Sequence, residues 1–165
     1  MVTESAAPRG SIYFHFPGGK EELATEVTLL HAGDAIAHIN RAAAATGTAA
    51  QLIEAFMGRI RDELISSNYR EGCAVAPIVI ESTPASDQLS AATRRAFQDV
   101  ITTLAARLTE KHVPHDRAVR LATNAVSSME GALILSRVLR SPDPFDMATA
   151  QLAATAEAEA DASIS

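Results

Sequence analysis

The chain has 165 residues, 14 Lys and Arg against 20 Asp and Glu, a formal net charge of −6, and 47% apolar residues with only 4% aromatics. That length supports one core or a small domain beside a larger one, and the alanine-rich, aromatic-poor composition favours close helix packing over strands. A single cysteine excludes an internal disulfide, no Cys/His spacing suits zinc, and no leader or bilayer-length apolar run occurs, so a soluble cytoplasmic protein is expected.

The opening stretch, Ala7 to Leu23, joins a turn, a very short helix and a Pro17-Gly18-Gly19 break to the charged start of a long helix. Pro8 suits a first helical position because its missing N–H has no partner there. A helix from about Pro8 to Phe14 is too short to hold itself in water. Ile12, Phe14 and Phe16 are expected to supply its buried grip. Lys20-Glu21-Glu22-Leu23 opens a helix whose early acids suit the positive end of its dipole. Its apolar positions continue through Val27, Leu30, Ile36 and Ile39 to the Thr46-Gly47-Thr48 turn.

From about Ala49 to Ser67, Leu52, Ile53, Phe56, Met57, Ile60, Leu64 and Ile65 recur at three- and four-residue steps, which predicts an amphipathic core helix. A loop follows over 67–72, then a short apolar helix over 73–83. The next helix, about Asp87 to Lys111, is capped by Ser86 or Asp87 and buries Leu89, Phe97, Val100, Ile101, Leu104 and Leu108. After His112-Val113-Pro114 a helix runs from His115 to about Arg140, with Val119, Ala122, Val126, Met129, Leu133 and Val138 inward. Phe145 to about Ala160 forms the last, with Phe145, Ala148, Leu152 and Ala156 on one stripe. The last two helices are apolar on more than one face, which means full burial or a partner.

Gly10-Ser11-Ile12-Tyr13-Phe14-His15-Phe16, followed by Pro17-Gly18-Gly19-Lys20-Glu21-Glu22-Leu23, resembles the recognition helix and following loop of TetR-family repressors, in the form of the LmrA/YxaF-like branch. Gly72-Cys73-Ala74-Val75-Ala76, with Glu81 beyond it, resembles the GCPVA segment of that branch's ligand-binding domain. The resemblance implies an all-α, TetR-like fold: a partial helix-turn-helix DNA-binding domain over 1–22, then a helical ligand-binding and dimerisation domain over 23–165. It also implies that a first helix of about twenty residues, and the start of the next, would stand ahead of Met1. The implied function is a ligand-responsive transcriptional repressor, a homodimer bound to operator DNA and released by a small-molecule effector, with no cofactor and no membrane partner. The alternative is a truncated dimeric ligand-binding module that does not bind DNA.

For DNA, the resemblance assigns phosphate contacts to Thr3, Tyr13 and Lys20, base-edge approach to Arg9, Gly10 and Ser11, and either role to His15. A helix fits the major groove, its N-terminus admits phosphate oxygens, and Arg pairs bidentately with guanine. The alternative is that Tyr13 and His15 only pack. Residues 1–22 hold only Arg9 and Lys20 against Glu4, Glu21 and Glu22. For the effector, candidate lining residues are Phe56, Ile60, Cys73, Ile78, Phe97, Ile101, Asn124, Ser128 and Met129, with Glu81 and Glu130 as polar anchors. Glu130, in a largely apolar setting, either meets a cationic ligand or pairs with Arg120 or Arg137 across the dimer. An enzyme is not expected: no nucleophile elbow or phosphate-cradling glycine loop is present. His31 and His38, seven apart on one helix face, allow a metal site with Asp34 or, more simply, a solvated pair.

Overall fold

The computed structural model describes residues 14–82 and 85–163. Among these the chain is entirely helical: α1 (Gly19–Ala45), α2 (Ala49–Ser66), α3 (Ala76–Ser82), α4 (Asp87–Thr109), α5 (His115–Leu139) and α6 (Asp143–Asp161). The element ends follow local chemistry. Phe16 C=O accepts from Gly19 N–H at 2.7 Å, and the Glu22 carboxylate accepts from Gly18 N–H at 2.7 Å. Gly19 sits at φ 72°, in the left-handed region that favours glycine.

Thr48 and Gln51 form a capping box at the start of α2, each satisfying a backbone donor of the other. The Ser86 hydroxyl accepts from Leu89 N–H at 3.1 Å and so caps α4. Lys111 Nζ reaches back to the carbonyls of Ala43 and Thr46, at 3.1 and 2.5 Å, closing the C-terminal end of α1. α5 ends at Arg140, φ 50°, whose guanidinium bonds Asn68 Oδ1 at 2.7 Å and lies over the Tyr69 ring.

α1 packs on α4, α2 on α6, and α5 lies against both α4 and α6. The core is built on Ile39, Leu52, Ile53, Phe56, Met57, Leu64, Leu104, Leu108, Val113 and Phe145, all fully buried. The hydrophobic effect on this apolar area is the main drive for assembling the helices.

Several inward assignments are corrected by helix rotation. On α1 the inner stripe is Thr28, Ala32, Ile39 and Ala42. Leu30, two residues and about 200° round from Thr28, is therefore 67% exposed. Thr28 tolerates burial because its hydroxyl donates to Ala24 C=O at 2.8 Å. On α5 the stripe runs through Ala118, Ala122, Ala125, Met129, Ala132 and Ser136, which leaves Val119 and Val138 at the surface. Ile65 likewise turns outward on α2. Phe14 is helical but 82% exposed, meeting His15 edge-on at 5.2 Å rather than gripping a core. The rest of the helix expected over 8–14 lies outside the described residues.

Two glycines of α1 are expected to respond in opposite directions. Gly19→Ala forces a Cβ into a left-handed backbone and should cost roughly 1–2 kcal/mol. Gly33→Ala, mid-helix with nothing within 4 Å of the added carbon, should gain about 0.5–1 kcal/mol. Urea unfolding of both variants checks the pair; equal signs would contradict the geometry.

Candidate functional site

A cavity of about 180 Å³ lies among α1, α2, α4, α5 and the loop between α2 and α3. Each helix gives it a stripe of one to two turns: His31, Ala35 and His38 from α1; Phe56, Ile60 and Glu63 from α2; Ala96, Phe97 and Val100 from α4; Val126, Met129, Glu130 and Leu133 from α5. Residues at i, i+3 or i+4, and i+7 share one helix face, so four such stripes can enclose a space. The loop adds Glu71, Gly72, Cys73 and Val75.

The floor is apolar and the polar groups are few. His38 Nε2 donates to Ala55 C=O at 3.1 Å, which fixes its tautomer, and its ring stacks on Phe56 with centroids 6.4 Å apart. Burial, then the nearby Arg59 charge, lowers the His38 pKa below 6.5. Arg59 is held by Glu63 at 2.7 Å. Burial, reinforced by the Glu130 carboxylate, pushes the Cys73 thiol up to about 12, and its sulfur lies 3.9 Å from His31 Nε2. Glu130 Oε1 is buried with no hydrogen-bond partner. Among the described residues no group of three or more His, Cys, Asp or Glu is placed to hold a metal ion.

Of the expected lining residues, the structure brings together Phe56, Ile60, Cys73, Phe97 and Met129. Ile78, Ile101, Asn124 and Ser128 fall outside the lining. Asn124 is exposed on α5, one residue short of the inner position held by Ala125. Ile101, four residues after Phe97, shares that side of α4 but packs against the core one turn on without lining the cavity. Glu81 is exposed on α3. Within the subunit Arg120 bonds Asp116 of its own helix at 3.2 Å.

His31 and His38 are half-buried cavity residues rather than a solvated pair. Their spacing of seven, with Ala35 between, was the available signal. Arg59, Glu63 and Glu71 carried none, since helix and loop charges ordinarily face water. On the DNA side, Thr3, Arg9, Gly10, Ser11 and Tyr13 lie outside the described residues, while His15 and Lys20 are both exposed.

The helical arrangement and the cavity can be set beside known proteins. The transcriptional regulator LmrA/YxaF-like C-terminal domain matches residues 49–151. The chain belongs to the LmrA/YxaF-like branch of the TetR family. An uncharacterized HTH-type transcriptional regulator of Mycobacterium tuberculosis strain H37Rv, Rv0196, is 32% identical over 157 residues, covering 92% of this chain and 79% of that protein. The HTH-type transcriptional regulator LmrA of Bacillus subtilis is 28% identical over 145 residues, covering 88% of this chain and 77% of LmrA. A TetR transcriptional regulator from Legionella pneumophila has the same fold, with a TM-score of 0.81 at 20% identity over 93% of this chain and 82% of that one. Reduced Escherichia coli NemR gives 0.67 at 20% identity, over 92% and 81%. This TetR-family chain is thus a transcriptional regulator, and none of its described helices is long and apolar enough to cross a membrane.

Two measurements probe the cavity chemistry. With its thiol pushed up to about 12, Cys73 should alkylate with iodoacetamide at about pH 8 some thirty-fold more slowly than an unfolded-state thiol. Urea should restore the ordinary rate; rapid labelling of the folded protein would contradict the burial. For His38, the folded pKa lies below 6.5, so the fold favours the neutral ring. That contribution is complete above 6.5 and is lost as pH falls through the lowered value. His38→Gln should therefore flatten the fall in Tm between about pH 7 and pH 5, and curves of equal slope would contradict it.

Proposed function

We propose that the chain is a ligand-responsive TetR-type repressor, a homodimer that releases its operator when a small molecule occupies the cavity. What carries this reading is the placement of α1. One uninterrupted helix supplies a cavity wall through His31, Asp34 and His38 and also carries Lys20 at its first turn. Lys20 to His31 spans about 17 Å of helix at 1.5 Å per residue. The DNA-proximal end is further tied to α4, where the Ser86 hydroxyl donates to Glu21 and Gln88 Nε2 donates to Thr25 Oγ1 at 3.3 Å. A molecule between α1 and α4 therefore acts on the element leading to DNA, and differential affinity for two positions of α1 suffices to shift the population.

Thr3, Arg9, Gly10, Ser11, Tyr13, His15 and Lys20 are the proposed DNA contacts. The domain division proposed for the chain is 1–22 for DNA and 23–165 for ligand and dimer. Dimerisation is supported by the apolar surface of α5, where Ile134, Leu135, Val138 and Leu139 are 54–75% exposed, and by Met147 on α6. A continuous exposed apolar face of this kind marks an interface. Two subunits would present their recognition segments about 34 Å apart, one turn of duplex DNA.

A mobility-shift assay on DNA flanking the regulator's own gene tests the reading. The expected result is a specific complex at the mass of two chains per site. Lys20→Ala should weaken it evenly across sequences and lower the salt slope by about one. Absence of any specific complex would overturn the repressor reading.

A further inference from the structure

We propose that the cavity selects an amphiphilic cation, a compact apolar body carrying a protonated amine that donates to Glu130. This rests on the reading of the cavity as the effector site and adds the chemistry of its occupant. Glu130 Oε1 is out of reach of water and has no hydrogen-bond partner within the subunit, and the carboxylate's hydrogen-bonding neighbour, the neutral Cys73 thiol, supplies no positive charge. An acceptor left in that state is costly until a donor arrives, and a charged donor compensates it best.

The surrounding charge excludes the opposite class of ligand. Of the four lining carboxylates Glu130 lies inside and Asp34, Glu63 and Glu71 at the exposed rim, and the one lining guanidinium, Arg59, is already bonded to Glu63 at 2.7 Å. His38 is biased to its neutral form and commits its Nε2–H to Ala55 C=O. An anionic ligand would meet net negative walls without a free cation to receive it. A neutral ligand would leave the Glu130 charge uncompensated.

Beside the carboxylate the walls are apolar, with Phe97, Val100, Met129 and Leu133 available to an apolar body. A dry cavity of about 150 Å³ accommodates benzene, so 180 Å³ suits one ring with a short chain.

Calorimetric titration with 2-phenylethylamine, 2-phenylethanol and phenylacetate provides the test, because the three share a ring and differ in charge. The expected order is amine tighter than alcohol by about tenfold or more, with phenylacetate weakest. Glu130→Gln, which keeps the side-chain shape, should erase the amine's advantage while leaving alcohol binding intact. Retained alcohol binding also reports a folded variant, and Glu130→Met provides a second replacement with the same expectation. Alcohol or phenylacetate binding as tightly as the amine, or an amine preference that survives Glu130→Gln, overturns the cationic class but leaves the cavity reading standing. No binding by any of the three to the wild-type protein overturns both.

Discussion

The structure depends on α1 remaining one continuous helix across its 27 residues while lying against α4. A helix of that length spans about 40 Å, and a straight α-helix transmits displacement because its backbone hydrogen bonds resist bending. Its inward stripe sets three small residues, Thr28, Ala32 and Ala42, beside one large one, Ile39. The same choice leaves room beside Ala35 for the cavity. Close packing at one level and an open space one turn away therefore come from one sequence pattern.

The cavity survives folding because its polar cost is concentrated in few places. His38 is satisfied by Ala55 C=O, Arg59 by Glu63, and Thr28 by its own helix. Glu130 Oε1 remains the exception on the cavity wall. Buried groups without partners are rare in folded proteins, and each calls for a physical reason such as strain, a functional role or a bound water or ion. Away from the cavity, Ser136 Oγ on α5 is the other buried side-chain atom without a partner among the described residues.

The helices were legible in the sequence because periodicity, caps and breakers agreed. The 49–67 pattern, Ser86 before the helix over 87–111, and the start of the last helix near Phe145 all became element boundaries within a few residues. Rotation about each axis was less legible. Leu30, Val119 and Val138 are apolar and fit a loose helical stripe, yet small residues hold the contact positions instead. An alanine at a close crossing has no distinctive sequence signal. The cavity was partly legible through aromatic and Met positions such as Phe56, Phe97 and Met129. Asn124 and Ser128 were misplaced because a shift of one residue rotates a side chain by about 100°.

The central claim is that the state of the cavity is felt at the DNA-proximal end of α1. Hydrogen exchange of wild-type protein and Val126→Phe, which fills the cavity from α5 without touching α1 sequence, measures this directly. The expected result is altered protection over residues 20–28 as well as over 31–38, with the two segments changing together. Altered protection confined to residues 31–38, with 20–28 exchanging as in wild type, would contradict the coupling.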